Sequence, residues 1–323
     1  DDVRRIEPDI KIDLPDIPER IRVKSAAFVE FATRDDEKER LEALLASMGF
    51  RCASHHVSKS LAVWQQGDIR IVVNAETKGH AHSTWLTRGT TVCDIGIEVA
   101  SARDTLQRAT AMGAKAFSQP LAPNEINIPA IRGLGGSLLH FLDQSSGLAD
   151  VWSVEFSSDT DDTHNDAGLV CVDHLAQTMS YDQMLSWSLF YTTLFSMNKA
   201  EMVDVIDPDG LVRSQALTTK DGTFRITLNG AETHRTLAGG FLAETFGASV
   251  QHIALATDDI FATARALAAR DFDPLPMPEN YYADLAARFD LAPPLIAELR
   301  ALNILYDRDE GGEFFQIYSQ PFS

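Results

Sequence analysis

One order of elements recurs four times along this chain: a strand, a helix, then several strands. The apolar period switches from two to 3.6 and back within each unit, so few folds can accommodate the sequence. The first unit predicts a strand over 26–32 and a helix over 35–48 with Leu41, Leu44, Leu45 and Met48 on one stripe; strands over 58–65 and 69–74 follow. The second predicts a strand over 93–99, a helix over 101–113 and strands near 128–132 and 137–143. In the third, a strand over 168–177 leads to a helix over 181–195 carrying Met184, Trp187, Leu189, Tyr191 and Leu194, with strands near 202–206, 211–219 and 223–228. The fourth opens at 249–257 and continues through a helix over 258–270, a helical insertion over 279–302 and strands over 303–308 and 313–318. Four βαβββ modules paired two and two imply an α+β chain of two domains, each built of curled mixed sheets. The polar stretch 158–167 reads as the linker between residues 22–157 and 168–323. Residues 1–21, dotted with Pro8, Pro15 and Pro18, read as a further linker, and a start at Asp1 suggests the carboxy-terminal part of something longer.

Charge narrows the partners. With 47 acidic against 28 basic side chains the net charge is −19, which would repel nucleic acid and anionic membrane. No run approaches the roughly 18 apolar residues that span a bilayer. Cys52, Cys93 and Cys171 are scattered and lack metal spacing, so they read as core residues of a reducing compartment, and a cytoplasmic location is expected.

Within the repeats, Val250-Gln251-His252-Ile253-Ala254-Leu255 echoes Val172-Asp173-His174-Leu175-Ala176-Gln177. Each histidine lies in the opening strand of a module, so the two can converge on one cation. Two neutral imidazoles plus one carboxylate, with open positions left over, form the facial site of non-haem iron oxygenases. A buried strand histidine is more often a hydrogen-bonded core residue, and only the matched placement of this pair favours ligation. By pattern, Glu30 falls where His174 falls and Asp94 where His252 falls, so the first module pair has the frame without imidazoles. His55, His56, His80, His82, His164 and His234 stand in polar or turn contexts and read as solvated, while His140 reads as packing.

The stretch Val250 to Ile260 resembles a motif of the 4-hydroxyphenylpyruvate dioxygenases, of the vicinal oxygen chelate (glyoxalase-dioxygenase) fold. So do Asp207-Pro208-Asp209-Gly210, Asn280-Tyr281-Tyr282-Ala283-Asp284-Leu285 and the stretch Ile304 to Gly311. Val172 to Met179, Arg132-Gly133-Leu134-Gly135-Gly136-Ser137-Leu138-Leu139 and Phe289-Asp290-Leu291 look still more like the dioxygenase-like carboxy-terminal part of bacterial fused 3-dehydroshikimate dehydratases. In those proteins an upstream metal-dependent barrel performs the dehydration. The resemblance implies a divalent metal, Fe(II), on His174 and His252, with Ser214, Asn229 and Gln316 lining the substrate pocket. Thr227-Leu228-Asn229-Gly230 departs from the family's Pro-Ile-Asn-Glu, which implies a different pocket polarity.

The family's third ligand, a glutamate, would lie on a strand after the one carrying Gln316, past Ser323, so a longer native chain is expected. Glu313 is three residues from Gln316 and should face the opposite side of its strand, at the surface. The implied activity is iron-dependent oxygenation of an aromatic or related 2-oxo acid. The alternative is a non-catalytic, assembly or ligand-binding role beside an upstream barrel domain, and a homo-oligomer is expected in either case. No residue is assigned a catalytic role beyond ligation and binding. The insertion 279–302 reads either as a lid or as an extra helical cover.

Overall fold

In the computed structural model the described residues are 17–158, 166–207, 209–309 and 311–322. Most of the expected linkers, residues 1–16 and 159–165 together with His164, lie outside them. The first module comprises β1 (Val23–Ala32), α1 (Asp35–Ser47), β2 (Arg51–His56), β3 (Leu61–Gln66) and β4 (Ile69–Asn74), followed by α2 (Gly79–Arg88). The second comprises β5 (Thr91–Val99), α3 (Ala102–Ala111), β6 (Ala116–Phe117), β7 (Ala130–Arg132) and β8 (Leu138–Leu142), followed by α4 (Val151–Val154) and β9 (Phe156–Ser158). The third runs through β10 (Leu169–Ser180), α5 (Tyr181–Leu194), β11 (Met197–Lys199), β12 (Val203–Asp207), β13 (Gly210–Thr219) and β14 (Arg225–Ala231) to α6 (Leu237–Glu244). The fourth comprises β15 (Ser249–Thr257), α7 (Ile260–Ala268), α8 (Glu279–Arg288), α9 (Pro293–Ala301), β16 (Leu305–Asp309) and β17 (Gly312–Gln316).

The four-module α+β reading holds, with two large mixed sheets and one antiparallel hairpin. One sheet runs β6-β7-β8-β5-β1-β4-β3-β2-β9, and a second runs β11-β13-β14-β10-β15 with β12 on β13. Within each of the first three modules the opening strand pairs in parallel with the last: β1 with β4, β5 with β8 and β10 with β14. The opening strands of paired modules then run antiparallel, β1 against β5 and β10 against β15. In the fourth module β16 and β17 form a separate hairpin, and among the described residues β15 has no strand on the edge where β8 lies against β5.

Alternation along the strands decides which face is buried. Val29, Ile71, Ile95, Ile97 and Leu139 share one cluster with Leu175, Met179, Tyr191, Phe195 and Leu228, so the helix-bearing faces of both sheets meet in a common core. Phe141 and Phe195 cross that junction edge to face at 6.3 Å. The halves also share hydrogen bonds: the side-chain Oε1 of Gln66 accepts from the amides of Ala167 and Leu169 at 2.8 and 3.1 Å. At Gly67 (φ 53°) a Cβ would sit 2.7 Å from the carbonyl oxygens of Leu169 and Val170, so only glycine admits this approach. No helix among the described residues is long and apolar enough to cross a membrane.

Several expectations need correction. Cys171 is exposed because β10 turns that position outward, whereas Cys93 is buried as expected. Strand β2 and helices α2 and α6 were not foreseen. Only Ala81 of α2 is buried, so no apolar stripe announces that helix, which carries hydroxyl-to-carbonyl bonds from Ser83, Thr84 and Thr87.

Candidate functional site

Strand β10 presents two chemically distinct faces. Leu175, Gln177 and Met179 turn toward α5, where the Tyr191 hydroxyl donates to Gln177 Oε1 at 2.9 Å. His174, Ala176 and Thr178 occupy the other face. Cross-strand pairing sets Ala176 opposite His252 and His174 opposite Ala254, so the two imidazoles are diagonal neighbours on that face. Their Nε2 atoms stand 3.3 Å apart, with ring planes at 79°.

Local chemistry fixes their state. The register slips between Val172 and His174, freeing Asp173 from the ladder. Asp173 Oδ2 then accepts Nδ1–H of His174 at 2.6 Å and takes Nη1 of Arg225 at 3.3 Å. The hydrogen bond from His174, more than the charge of Arg225, holds the Asp173 carboxyl below its usual range. With Nδ1–H committed, the lone pair of His174 is on Nε2 and faces His252. Burial first, and the neighbouring His174 second, lower His252 to about 4, so it is a neutral imidazole near pH 7.

This donor set fits a divalent cation. Two metal–nitrogen bonds of about 2.1 Å at a right angle put the nitrogens about 3 Å apart, close to the spacing seen here. Among the described residues no carboxylate joins the two imidazoles as a third ligand. Two of the expected lining residues, Ser214 and Asn229, lie on the neighbouring strands of the same sheet. Asn229 pairs with Thr178 on the histidine face and accepts from the Ser214 hydroxyl at 2.8 Å, Ser214 being its partner on β13. Thr178 Oγ1 donates to Gln251 Oε1 at 3.1 Å, which completes a polar floor. Gly230 faces the other way, where a Cβ would press within 3.0 Å of Met184 Sδ and the Tyr181 ring. Within the Thr227-Gly230 departure, Gly230 thus bears on helix packing, while Thr227, opposite Ala176, shares the face of Asn229. Gln316 is exposed; the Tyr318 hydroxyl donates to it at 3.0 Å, and the Tyr318 ring lies 6.5 Å from that of His252. Glu313 is exposed, as its strand position requires, and accepts from the Tyr306 hydroxyl at 2.5 Å. The insertion helices bury Tyr282, Leu285 and Leu299 against α7 and β16.

The first module pair repeats this frame with one difference from the sequence alignment. In β1/β5 the register slips between Val23 and Ser25, between Ala26 and Phe28, and after Glu30; in β10/β15 it slips between Leu169 and Cys171, between Val172 and His174, and after Ala176. Matching the slips places Phe28, not Glu30, at the His174 position, and Glu30 at that of Ala176. Asp94 does match His252. A conserved bulge pattern is invisible to residue-by-residue alignment, which explains the two-residue error. Here Asp94 Oδ2 meets His140 Nδ1 at 2.5 Å, so His140 is an ion-pair partner as well as a packing residue. Glu30 Oε1 accepts from Asn74 Nδ2 at 2.8 Å, and burial followed by the charge of Asp94 pushes Glu30 up to about 7.

Two further histidines expected in solvent are instead anchored. His56 is buried, and its Nδ1 accepts the amides of Ser58 and Lys59, both at 3.1 Å. Its Nε2 must then carry the proton, which it directs at Glu155 Oε2 at 3.2 Å, with Glu125 Oε1 at 3.9 Å. That tautomer has no lone pair left for a cation, and Lys59 Nζ already neutralises Glu125 at 2.6 Å. The cluster His56, Glu125 and Glu155, though compact enough for an ion, is therefore a hydrogen-bonded ion-pair network. His80 is pinned between the Cys93 carbonyl and Arg132, and desolvation lowers its pKa.

Known proteins share this arrangement. A profile described as "Hydroxyphenylpyruvate dioxygenase, HPPD, N-terminal" matches residues 19–157, and one described as "Glyoxalase/Bleomycin resistance protein/Dioxygenase superfamily" matches 172–315. A 3-dehydroshikimate dehydratase of Pseudomonas putida is 38% identical over 296 residues, covering 91% of this chain and 46% of the relative. A 4-hydroxyphenylpyruvate dioxygenase of Pseudomonas aeruginosa is 33% identical over 297 residues, covering 90% of this chain and 83% of the relative. Among solved structures, a xylose isomerase-like TIM barrel/4-hydroxyphenylpyruvate dioxygenase fusion protein superposes with a TM-score of 0.82 at 36% identity, over 98% of this chain and 50% of the fusion. The chain thus spans about half the length of the dehydratase and of the fusion that it matches.

Proposed function

Because the chain belongs to the 4-hydroxyphenylpyruvate dioxygenase family, we propose that it is a dioxygenase-type protein whose His174 and His252 hold a divalent metal, Fe(II), for an aromatic or related 2-oxo acid. The observation that carries the reading is the Nε2 to Nε2 spacing of 3.3 Å together with the Asp173 bond that aims His174. When bound, such a metal supplies Lewis acidity and activation of oxygen at open coordination positions. The protein's own part is positional. Asp173 and Arg225 hold the His174 tautomer, burial keeps His252 unprotonated, and the Ser214–Asn229 pair offers a hydroxyl and an amide to the polar groups of a substrate. Ala176 and Ala254 are the small residues that the strand pairing sets opposite the two histidines.

Titrating the purified protein with Fe(II) and following oxygen uptake with hydroxyphenylpyruvate and related 2-oxo acids tests this. One iron per chain, abolished by His174→Ala and by His252→Ala, is expected; unaltered iron binding in both variants would overturn the assignment. A second reading rests on the dehydratase relative, of which the chain covers 46%. In it, these modules accompany an upstream barrel domain and serve assembly or ligand binding. Iron binding without oxygen uptake for any 2-oxo acid favours that reading.

A further inference from the structure

A cavity of about 630 Å³ opens where α2, the loop after β6, the turn between β7 and β8, and the start of β15 come together. Its size is that of a small-molecule site, and its lining is out of character with the chain. The protein carries 47 acidic side chains, yet among the described residues none lines this cavity, whereas Arg88 and Arg132 both do. Neither arginine pairs with a carboxylate among the described residues. Arg88 spans two carbonyls, Nη1 donating to Ala248 at 2.9 Å and Nη2 to Gly135 at 2.8 Å. Arg132 Nη1 donates to the next carbonyl, Gly136, and to His80 Nδ1, both at 3.1 Å. Its guanidinium also lies 4.7 Å from the centre of the Phe117 ring.

These contacts place two cations side by side on consecutive carbonyls without neutralising either. His80 is a precise support for Arg132. Nε2 of His80 faces the Cys93 carbonyl at 3.2 Å and donates to it, so Nδ1 is the acceptor that Arg132 needs. Burial and the arginine's charge both lower the His80 pKa, which preserves that tautomer. The motif Arg132-Gly133-Leu134-Gly135-Gly136-Ser137 supplies the wall. A Cβ at Gly135 would lie 1.9 Å from the Ala248 oxygen, so glycine there is what lets the two halves close around Arg88. Ser83, Thr84 and Thr87 of α2 line the same space, their hydroxyl protons given to backbone carbonyls one turn back.

We propose that this cavity is a binding site, separate from the histidine pair, for a small oxyanion: the carboxylate or phosphate group of a polar metabolite. The guanidiniums take the oxyanion through charge-assisted hydrogen bonds, and the α2 hydroxyl oxygens, whose protons go to the helix backbone, accept from its neutral donor groups. Isothermal titration of the full chain with inorganic phosphate and, separately, with succinate, each against sodium chloride of equal ionic strength, tests it. Saturable binding near one per chain is expected for at least one of them; phosphate alone identifies a phosphate site, and succinate alone a carboxylate site. Arg132→Gln should weaken that binding at least tenfold. So should Ser83→Phe, which fills the cavity and leaves both arginines in place, with circular dichroism confirming the fold. Arg103→Gln on the outside of α3 and the double variant His174→Ala, His252→Ala should bind as well as the parent. Heats no larger than those of sodium chloride for both anions, or binding undiminished in both Arg132→Gln and Ser83→Phe, would overturn the proposal.

Discussion

The β1/β5 and β10/β15 strand pairs slip register at the same three places and present the same face, yet one is closed by side chains and the other is open. Where the second pair has His174 and Ala254, the first has Phe28 and Gly96. The Phe28 ring lies so close over Gly96 that a Cβ there would sit 2.2 Å from it. Where the second has Ala176 and His252, the first has Glu30 and Asp94, held by Asn74 and His140. One backbone frame therefore serves two ends. Filled with an aromatic ring and ion pairs it is structural, and lined with two aimed imidazoles it is a donor set.

Breaking the open side should have the largest effect. His174→Ala and His252→Ala should each lower Fe(II) affinity by several orders of magnitude while leaving thermal stability nearly intact, as metal titration and calorimetry would show. Breaking the closed side should cost stability instead. Phe28 is buried among Val63, Val72, Leu142 and Phe156, and Phe28→Ala should destabilise the fold by about 3–5 kcal/mol in urea unfolding. Gly96→Ala should cost about 1–3 kcal/mol by overpacking. In the Phe28→Ala background most of that second cost should disappear, because the ring it strikes is gone; full additivity would refute the close-approach account.

Smaller effects sharpen the comparison. Asp173→Asn keeps the size of the His174 partner but removes its charge, and should weaken metal affinity about 10–100-fold. Glu30 gives the smallest and most pH-dependent effect. Its folded pKa near 7 lies above the ordinary 4.5, so its favourable contribution is present below pH 4.5 and is lost as pH rises through 7. The carboxylate of Asp94 works against its ionisation, and His140, Asn74 and the Cys93 thiol work for it. Glu30→Gln keeps an acceptor for Asn74 and removes the ionisation. It should be stabilising by on the order of 1–2 kcal/mol at pH 8 and close to neutral at pH 4. Equal effects at both pH values would show that Glu30 ionises freely.

Much of this was legible in the residues, because alternation and helical stripes are local. The modules, the helices at 35–48 and 181–195, and the strand at 249–257 could be read from apolar period alone. Helix α2 could not, since Trp85 is held by Glu37 of α1, 48 residues upstream, and the helix buries little. The contexts of His56 and His80 look solvent-facing because their anchors, Glu155 and the Cys93 carbonyl, lie 99 and 13 residues along the chain on other elements. The Glu30 alignment failed because a bulge shifts a face without leaving a trace in composition.

The sequence by itself determined the repeated βαβββ order and the two strand histidines, because both follow from which side chains water excludes. Only the tertiary structure decided that Phe28 stands in for His174, that Asp173 sets the tautomer of its neighbour, and that two arginines share a cavity free of carboxylates. Those outcomes depend on cross-strand register and on contacts between distant segments, and such distances are fixed only when the sheets close on their common core.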